Sequence, residues 1–527
     1  MTSLQPTHNA SRRPTLRKPA PLPASGRAPW RDWLALGLLM FPVLLVAVDN
    51  TALTFALPEI ARSLQTTGVQ LLWIVDAYPL VLAALLVAMG SFGDRIGRRR
   101  LLLIGSVGFA AVSAITAFSP TPGFLIAGRA ALGFFGAMLM PSTLSLIRNI
   151  FPEPNRRRLA VAIWAAGFSG GAALGPIFGG WLVEHLWWGA ILLAAVPIML
   201  PLLAFGHAVI PESRDPKPGR VDVPSVLLSM LVMVPVVYGI KDLATEGFSI
   251  IPLAIISFGV AMGVVFVRRQ LRLASPLLDM SLFGNSVFSS AIAANILALF
   301  SFNGFILFLA QHLQLLEGMS PSESGVAMIP ALLATVLAGL LVVPLVRRIR
   351  PGAVVAGGLT LSALGYAMVA FGNHSGGPQL LLAALLVLAL GVGAAETISN
   401  DLILGSVPAS KSGAAAAVSE TGYEVGSLLG TAVLGSILTA SYQHNLILPA
   451  EVAGSGSAPG TGLAGETLAG AVELAHTLPA PLAQAVLDTA RSAFESGVHI
   501  TAAIALGLMA AAAVSAGVVL RKVPKAT

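Results

Sequence analysis

The sequence predicts an all-α polytopic membrane protein whose chain crosses a bilayer fourteen times. Of its 527 residues, 56% are hydrophobic and only 10% are charged, whereas an ordinary soluble domain has roughly 25% charged residues. Long apolar runs recur along the chain, each near the roughly 20 residues that a transmembrane helix needs. Membrane barrels show short alternating segments instead. This composition excludes a soluble enzyme, a disordered chain and most nucleic-acid-binding proteins.

The apolar segments follow a basic, proline-rich tail over residues 1–30, which we predict to be disordered. The chain has no cysteine, which excludes disulfides, thiolate metal sites and cysteine nucleophiles, and we expect no metal site. Each segment is typical of one membrane-spanning helix, and they lie at 33–56, 70–92, 101–119, 123–147, 159–182, 187–209, 223–240, 250–267, 287–311, 324–346, 351–372, 379–400, 412–440 and 498–520.

Basic residues are concentrated on one side of the predicted membrane. Both termini and the alternate loops between them hold 27 of the 31 lysines and arginines. The opposite loops hold only Arg62, Lys241 and Arg491, and Arg129 falls inside a helix. The positive-inside rule therefore predicts that both termini are cytoplasmic. The net charge of +7 is explained by topology, so we expect no nucleic-acid partner.

One connection on the outer side, residues 441–497, is too long to be a simple loop. A Gly/Ser/Pro-rich stretch is followed by two short amphipathic patterns near 466–477 and 481–494. Long connections of this kind are either passive surface structure or lids over a binding site. The sequence leaves both interpretations open.

Five stretches have residue patterns that composition alone does not explain. They read VDNTALTFALP at 48–58, LWIVD at 72–76, GSFGDRIGRRR at 90–100, RAALGFFGA at 129–137 and GAALGPIFGG at 171–180. Together they resemble the signature motifs of the major facilitator superfamily. With fourteen segments, the chain is similar to its proton-coupled drug-exporter branch, particularly the quaternary-ammonium and methyl-viologen exporters.

The resemblance implies a major facilitator fold of two six-helix bundles with two inserted helices. The boundaries that we predict are 1–30 for the tail, 31–210 for the N-terminal bundle, 211–272 for inserted helices 7 and 8, and 273–527 for the C-terminal bundle with outer loop 441–497. It further implies a bacterial cytoplasmic-membrane transporter with no cofactor, driven by the proton gradient. We expect a monomer in a lipid bilayer that binds protons and lipophilic cations.

The loop at 90–100 combines turn-forming glycines with one acid and four arginines. Its residues Asp94, Arg95 and Arg98 have two interpretations. They anchor the loop on the cytoplasmic side, or, as the resemblance implies, Asp94 and Arg98 belong to an ion-pair latch of the outward-open state. Either role is conformational, and neither binds substrate.

Three glycines, Gly171, Gly175 and Gly179, recur every four residues and so lie on one face of their helix. Small residues at this spacing allow close packing between membrane helices. Pro176 lacks an N–H and favours a bend. The sequence predicts a bent, closely packed helix at the interface between the bundles, although simple packing explains the same pattern.

Three charged residues, Asp49, Asp76 and Arg129, lie at similar depth in the outer half of the predicted membrane. A charge at the centre of a membrane helix costs at least ~2.5 kcal/mol unless it is paired or hydrated. We predict that the two acids share the arginine, which leaves one carboxylate to carry a proton. A static ion pair is the alternative.

Two glutamates, Glu420 and Glu424, are four residues apart in the thirteenth segment and share a helix face. No lysine or arginine in that segment can pair with them, and burial favours a proton or a bound cation. With Tyr423 and Glu396 they form the predicted substrate site, and hydrogen-bonded structural glutamates are the alternative. Relatives carry acids at the positions of Glu420 and Glu424, whereas Glu396 departs from the family pattern.

We therefore predict a multidrug efflux antiporter that exports quaternary ammonium antiseptics, dyes and viologens in exchange for protons, and so confers resistance. The chain has no phosphate-binding loop of the Gly-x-x-x-x-Gly-Lys-Ser/Thr type, which argues against ATP as the energy source. An exporter of a single metabolite, such as an amino acid, sugar or siderophore, is the alternative. No enzyme activity is expected.

The predicted orientation can be tested directly because the chain lacks cysteine. A cysteine that replaces Ser457, in the outer loop, should react with an impermeant maleimide added to intact cells. A cysteine at Ser410, beside basic residues on the other side, should not react. The opposite labelling pattern would reverse the orientation.

Overall fold

The computed structural model is α-helical throughout the part of the chain that it describes, with no strands there. Thirteen helices in that part are long and apolar enough to cross a membrane, and a bent helix over Leu159–Ala172 and Leu174–His185 raises the number to fourteen. The prediction of an all-α polytopic membrane protein is confirmed. The described residues are 29–214, 222–246, 249–273, 276–346, 348–372, 377–408, 412–453 and 461–523.

A hairpin of two helices follows the first half of the chain. Two short breaks in otherwise helical segments separate α6 from its neighbours. The bounds are α1 Pro29–Leu64, α2 Gly68–Ile96, α3 Arg98–Thr116, α4 Pro122–Ile150, α5 Pro154–His185, α6 Ala190–Leu193, α7 Ala195–Val209, α8 Val223–Glu246 and α9 Ile250–Arg272.

The second half contains a π-helical insertion at each of two places, His312–Leu316 after α10 and Gly430–Leu434 after α14. Such insertions are frequent at functional sites. The bounds are α10 Ser286–Gln311, α11 Pro321–Leu345, α12 Pro351–Ala370, α13 Gly377–Gly405, α14 Ser412–Leu429, α15 Gly435–Asn445, α16 Ala450–Ala453, α17 Thr461–Glu466, α18 Leu468–His476 and α19 Ala480–Val519.

Each half has its own apolar core. In the first half, the buried core runs from Ala35 to Ile210, with α1 against α5 and α2 against α4. In the second, it runs from Leu282 to Leu520, with α12 against α13 and α19, and Phe55 of α1 also packs into it. Two smaller buried clusters join the halves, one of them formed by Leu57, Leu72 and Leu307. The halves are therefore separate packing units that meet over a limited surface.

Helices α8 and α9 pack against each other as a hairpin between the two halves of the chain. At the end of the hairpin near Asp222, the Arg269 guanidinium donates to the Asp222 carboxylate at 2.7 Å. Burial acts to raise the pKa of Asp222, but hydrogen bonds from Arg269 and Ser225 hold it below its ordinary value. The domain boundaries at 211–272 stay a prediction.

The outer connection differs from its prediction. The pattern near 466–477 forms α18, but the pattern near 481–494 is not a separate helix, because α19 runs without interruption from Ala480 to Val519. Its first part is amphipathic where it packs on α15 and α18, and it becomes apolar further along. Residues 1–28, Ser410 and Ser457 lie outside the described residues.

Candidate functional site

The carboxylate of Asp49 on α1 forms a buried ion pair with Arg129 of α4. The Arg129 Nη1 donates to Asp49 Oδ2 at 2.7 Å, and the side chains of Arg129 and Asp49 are 2% and 5% exposed, respectively. Arg129 Nε also donates to the carbonyl oxygen of Ile74 at 3.2 Å. Its guanidinium lies 4.6 Å from the centre of the Tyr78 ring. The arginine is thus held by groups of two helices, α1 and α2, and its charge is neutralised by one acid.

The second acid, Asp76 on α2, has a different basic partner. Lys241 Nζ of α8 lies 2.9 Å from Asp76 Oδ2, and the side chains are 1% and 0% exposed. The hydroxyl of Thr431, in the π-helical segment after α14, donates to Asp76 Oδ1. The ammonium of Lys241 also lies 4.0 Å from the centre of the Trp73 ring. The prediction that the two acids share one arginine is therefore wrong.

Sequence reasoning assigned Lys241 to an outer loop because the apolar segment 223–240 ends one residue before it. The helix continues to Glu246, and the long apolar stem of a lysine lets it enter a membrane protein if its charge is paired. The signal in the sequence was Asp76, an acid inside a predicted membrane helix, because such an acid needs a basic partner. With Lys241 buried between helices, only Arg62 of α1 and Arg491 of α19 remain on the predicted outer side, and the asymmetry of basic residues increases.

Helix α14 carries Glu420 and Glu424 on one face, since it is helical across both. Glu424 is 3% exposed, and its Oε2 is buried without a hydrogen-bond partner among the described residues. Glu420 is half-buried one turn earlier. A buried carboxylate oxygen without a donor is costly for the ionised form, so this position favours a proton or a cationic ligand.

Aromatic rings lie beside the two glutamates. The ring centre of Tyr423 lies 5.7 Å from that of Phe168 on α5, edge to face, and Phe168 stacks on Trp164 at 6.2 Å. Tyr423 lies within electrostatic range of both Glu396 and Glu424. Sequence reasoning missed Trp164 and Phe168, because rings on a small-residue helix are typical of lipid contact. The contact between Phe168 and Tyr423 therefore joins the first half of the chain to the second.

A cavity of about 360 Å³ lies between the ends of α2, α4 and α14 on the predicted cytoplasmic side, which we call the inner side. Its charged lining consists of Asp94, Arg98, Arg148, Asp279 and Glu420. Arg148 supplies Glu420 with an opposite charge from another helix, which a search within α14 alone could not find. In the described part of the chain, no group of three His, Asp or Glu side chains could hold a metal ion.

Helix α5 bends by 40° between Ala172 and Leu174. Because Pro176 has no N–H, the carbonyl of Ala172 four residues earlier has no helical donor. The hydroxyl of Thr51 on α1 donates to that carbonyl at 3.0 Å. A threonine of the neighbouring helix thus satisfies the backbone group that the proline releases, as membrane helices require.

The glycines of α5 face α1 in the same half. A Cβ added at Gly171 would lie 2.9 Å from the Cβ of Ala47, one at Gly179 would lie 2.7 Å from that of Ala52, and one at Gly175 would overlap Thr51. The predicted close packing is therefore with α1. Contact with the other half is made by neighbouring residues of the same motif.

Those residues are Pro176 and Gly180, which meet α11. A Cβ at Gly180 would lie 2.5 Å from the carbonyl oxygen of Pro321, and one at Gly325 would lie 2.5 Å from that of Pro176. The two halves thus touch backbone to backbone at their outer ends, while a cavity separates their inner ends. With the predicted orientation of the chain, this arrangement is inward-facing.

The loop between α2 and α3 holds an ion pair between Asp94 and Arg98, both half-buried, whereas Arg95 is exposed. Gly97 joins the helices with φ +108, a backbone conformation that favours glycine. Glu212 accepts from the backbone of the loop at 3.0 Å. In this arrangement, the Asp94–Arg98 pair joins the end of α2 to the start of α3, and the predicted latch of the outward-open state stays a hypothesis.

Comparisons with known proteins agree with this architecture. The family model described as Major Facilitator Superfamily matches residues 39–431. The multidrug efflux pump LfrA of Mycolicibacterium smegmatis is 51% identical over 95% of this chain and 98% of its own length. The methyl viologen resistance protein SmvA of Salmonella typhimurium is 36% identical over 88% of this chain and 93% of its own.

Among solved structures, a bacterial homologue of the human lysosomal transporter Spinster in an inward-facing and unoccupied conformation superposes with a TM-score of 0.62. It covers 93% of this chain and 98% of its own, at 19% identity, which supports the fold alone. Fold and relatives define a multi-span membrane transporter. The chain belongs to the Major Facilitator Superfamily, so the family predicted from the sequence motifs is confirmed.

The Asp49–Arg129 pair generates a stability prediction. Arg129→Ala strands a buried carboxylate and should lower the free energy of unfolding by about 3–5 kcal/mol. The double variant Asp49→Asn/Arg129→Gln should lose less, because it leaves no uncompensated charge. Arg100→Ala, at a side chain that is 70% exposed, is the control. Unfolding in detergent measures all three, and a double variant as unstable as Arg129→Ala would contradict the account.

The contact between α5 and α11 generates a second prediction. Gly180→Ala should hold the outer ends apart, so a cysteine that replaces the buried Ser324 on α11 should react faster with maleimide. Gly357→Ala is the matched control, because a Cβ there would have nothing within 4 Å. Equal labelling rates in the two backgrounds would show that the close approach does not govern access.

Proposed function

We propose that this transporter is a proton-coupled multidrug efflux antiporter for lipophilic organic cations. The observation that carries the proposal is Glu424, whose carboxylate is buried at the junction of the two halves with one oxygen lacking a donor among the described residues. A proton or an organic cation can neutralise this group, but not both at once. Mutual exclusion of this kind is sufficient for exchange.

The chemistry around Glu424 suits a flat, lipophilic cation. Phe168 and Tyr423 offer ring faces and edges from opposite halves, and a cation over such a ring is stabilised by about 0.5–2 kcal/mol. Glu396 adds a third carboxylate near Tyr423. Glu420 lines the inner cavity opposite Arg148, so we assign it to substrate entry and range, and Glu424 to binding itself.

The proton side of the exchange involves Asp49, Arg129 and Asp76. Tyr78 lies within electrostatic range of Asp49, Arg129 and Glu424, which gives the ion pair and the substrate site a common neighbour. Asp49 is therefore our candidate for proton transfer. Its pairing with Arg129 keeps the charge compensated while the site is loaded with a cation. Protons that arrive from outside neutralise the acids and displace the cation.

The proton gradient is the proposed energy source, with no bound cofactor. We place the protein in the bacterial inner membrane with both termini in the cytoplasm, because the basic residues lie mainly on that side. The relatives LfrA and SmvA, named for multidrug efflux and methyl viologen resistance, support export of drugs in preference to a single metabolite. A monomer is proposed because each chain contains a complete site.

Purified protein in liposomes tests the direction and the driving force. With an imposed proton gradient, ethidium or methyl viologen should cross the membrane in the direction opposite to the protons. A protonophore, which dissipates the gradient, should stop this transport. A neutral amino acid or sugar under the same gradient should not move. Gradient-driven movement of a sugar or amino acid without movement of the cations would favour the metabolite exporter instead.

The variant Glu424→Gln gives the sharpest test of the site. It should bind tetraphenylphosphonium at least ~10-fold more weakly, because a buried carboxylate–cation contact contributes more than about 1.4 kcal/mol. Its residual binding should not depend on pH between about pH 5 and pH 9, whereas wild-type binding should weaken as the pH falls and protons compete. Glu473→Gln, in the outer connection, is the control. Wild-type affinity and pH dependence in Glu424→Gln would refute the assignment.

A further inference from the structure

The proposed exchange places Asp76 on its proton side, but it gives no role to Lys241, the buried partner of Asp76. We propose that Lys241 is a positioning residue that fastens the outer end of α2 to α8 and to the π-helical segment after α14, which makes the inserted helix α8 part of the outer gate. The proposal goes beyond the proposed function and needs only that the transporter opens its outer side.

The environment of the pair is built to hold a charge. Both side chains are buried, with Lys241 Nζ at 2.9 Å from Asp76 Oδ2. Trp73, on the same helix as Asp76, presents its ring to the ammonium at 4.0 Å. The Thr431 hydroxyl donates to the other carboxylate oxygen. One group thus comes from α8, two from α2 and one from the second half of the chain.

The apolar contacts around the pair also join three elements. Leu80 of α2, Val237 of α8, and Leu428 and Ala432 of the second half form one buried cluster. The Ser229 hydroxyl of α8 donates to the carbonyl of α2 residue Ala84 at 3.1 Å. Helix α8 therefore packs along α2 and reaches the second half where the halves are closed, on the side away from the inner cavity.

Opening the outer side must separate α2 from the second half, and hence Asp76 from Thr431. The pair with Lys241 controls how readily this happens, because a neutral pair can stay buried while a single charge cannot. If either charge is removed, the remaining one is stabilised by water, and water reaches it when the gate opens. If both are removed, no charge is left to hydrate.

Single cysteines in this cysteine-free chain can report the state of the gate. The outer reporter is Leu307→Cys, at a side chain that is 2% exposed in the cluster with Leu57 and Leu72. The inner reporter is Ser145→Cys, which lines the inner cavity. Each is combined with Lys241→Met, Asp76→Asn, the double variant or Lys241→Arg, and maleimide labelling is followed in detergent without substrate.

Lys241→Met and Asp76→Asn should each raise labelling of the outer reporter by about tenfold and lower that of the inner reporter, since each strands one charge. The double variant should return outer labelling to within about threefold of the parent, because the two effects are not additive. Lys241→Arg should keep the parent rate. Arg269→Met, which breaks the half-exposed pair with Asp222 near the other end of α8, should also keep it.

Two results would overturn the proposal. Outer labelling at the parent rate in both single variants would make the pair a static anchor of α8. Outer labelling in the double variant as fast as in the single variants would mean that packing, and not charge, closes the gate. If a single variant loses its fold, shown by faster labelling of both reporters, the double variant decides, because the proposal requires it to be folded and closed.

Discussion

Every charge inside this protein must be neutralised within the protein, and that requirement determines which helices can separate. Asp49 pairs with Arg129 inside the first half of the chain, and such a pair can move as one unit. Asp76 pairs with Lys241 and also contacts Thr431 of the second half. Glu424 lies between the halves with an unsatisfied oxygen. The Asp49–Arg129 pair is internal to one half. The surroundings of Asp76 and Glu424 depend instead on how the two halves are positioned.

Backbone groups obey the same rule as side-chain charges. Pro176 leaves the carbonyl of Ala172 without its helical donor, and Thr51 supplies one. Glycines let α5 approach α1 closely on one face, while Gly180 and Gly325 allow backbone contact with α11. One bent helix therefore carries both a tight contact within its own half and the contact that closes the outer side. The two faces explain why the motif contains a proline as well as glycines.

The sequence was sufficient for the number and type of the membrane segments, because a bilayer imposes length and apolarity on each helix. Residues that pair within one motif, such as Asp94 with Arg98, were also predictable. Pairing across helices was not. Lys241 follows its apolar segment by one residue, so hydropathy alone assigned it to a loop, and Arg148 reaches Glu420 from another helix. Phe168 and Trp164 join the site only through the ring contact between Phe168 on α5 and Tyr423 on α14.

The prediction of a separate second helix in the outer connection was wrong for a related reason. A helix pattern predicts helix, but it does not predict where one helix becomes the next, and α19 continues from surface to membrane without a break. The same limit applies to charge sharing. Depth along each helix grouped Asp49, Asp76 and Arg129 in the prediction. The partners depend instead on the direction of each side chain, and this direction is set by a helix rotation that the sequence alone does not reveal.

The central claim is that one buried carboxylate exchanges a proton for an organic cation. The most direct test is to add tetraphenylphosphonium to the purified protein in weakly buffered detergent near neutral pH and to follow the pH with an indicator dye. The account predicts that protons are released in proportion to the cation bound, with no membrane and no gradient present. Binding of the cation, verified by calorimetry in the same sample, without any release of protons would contradict it.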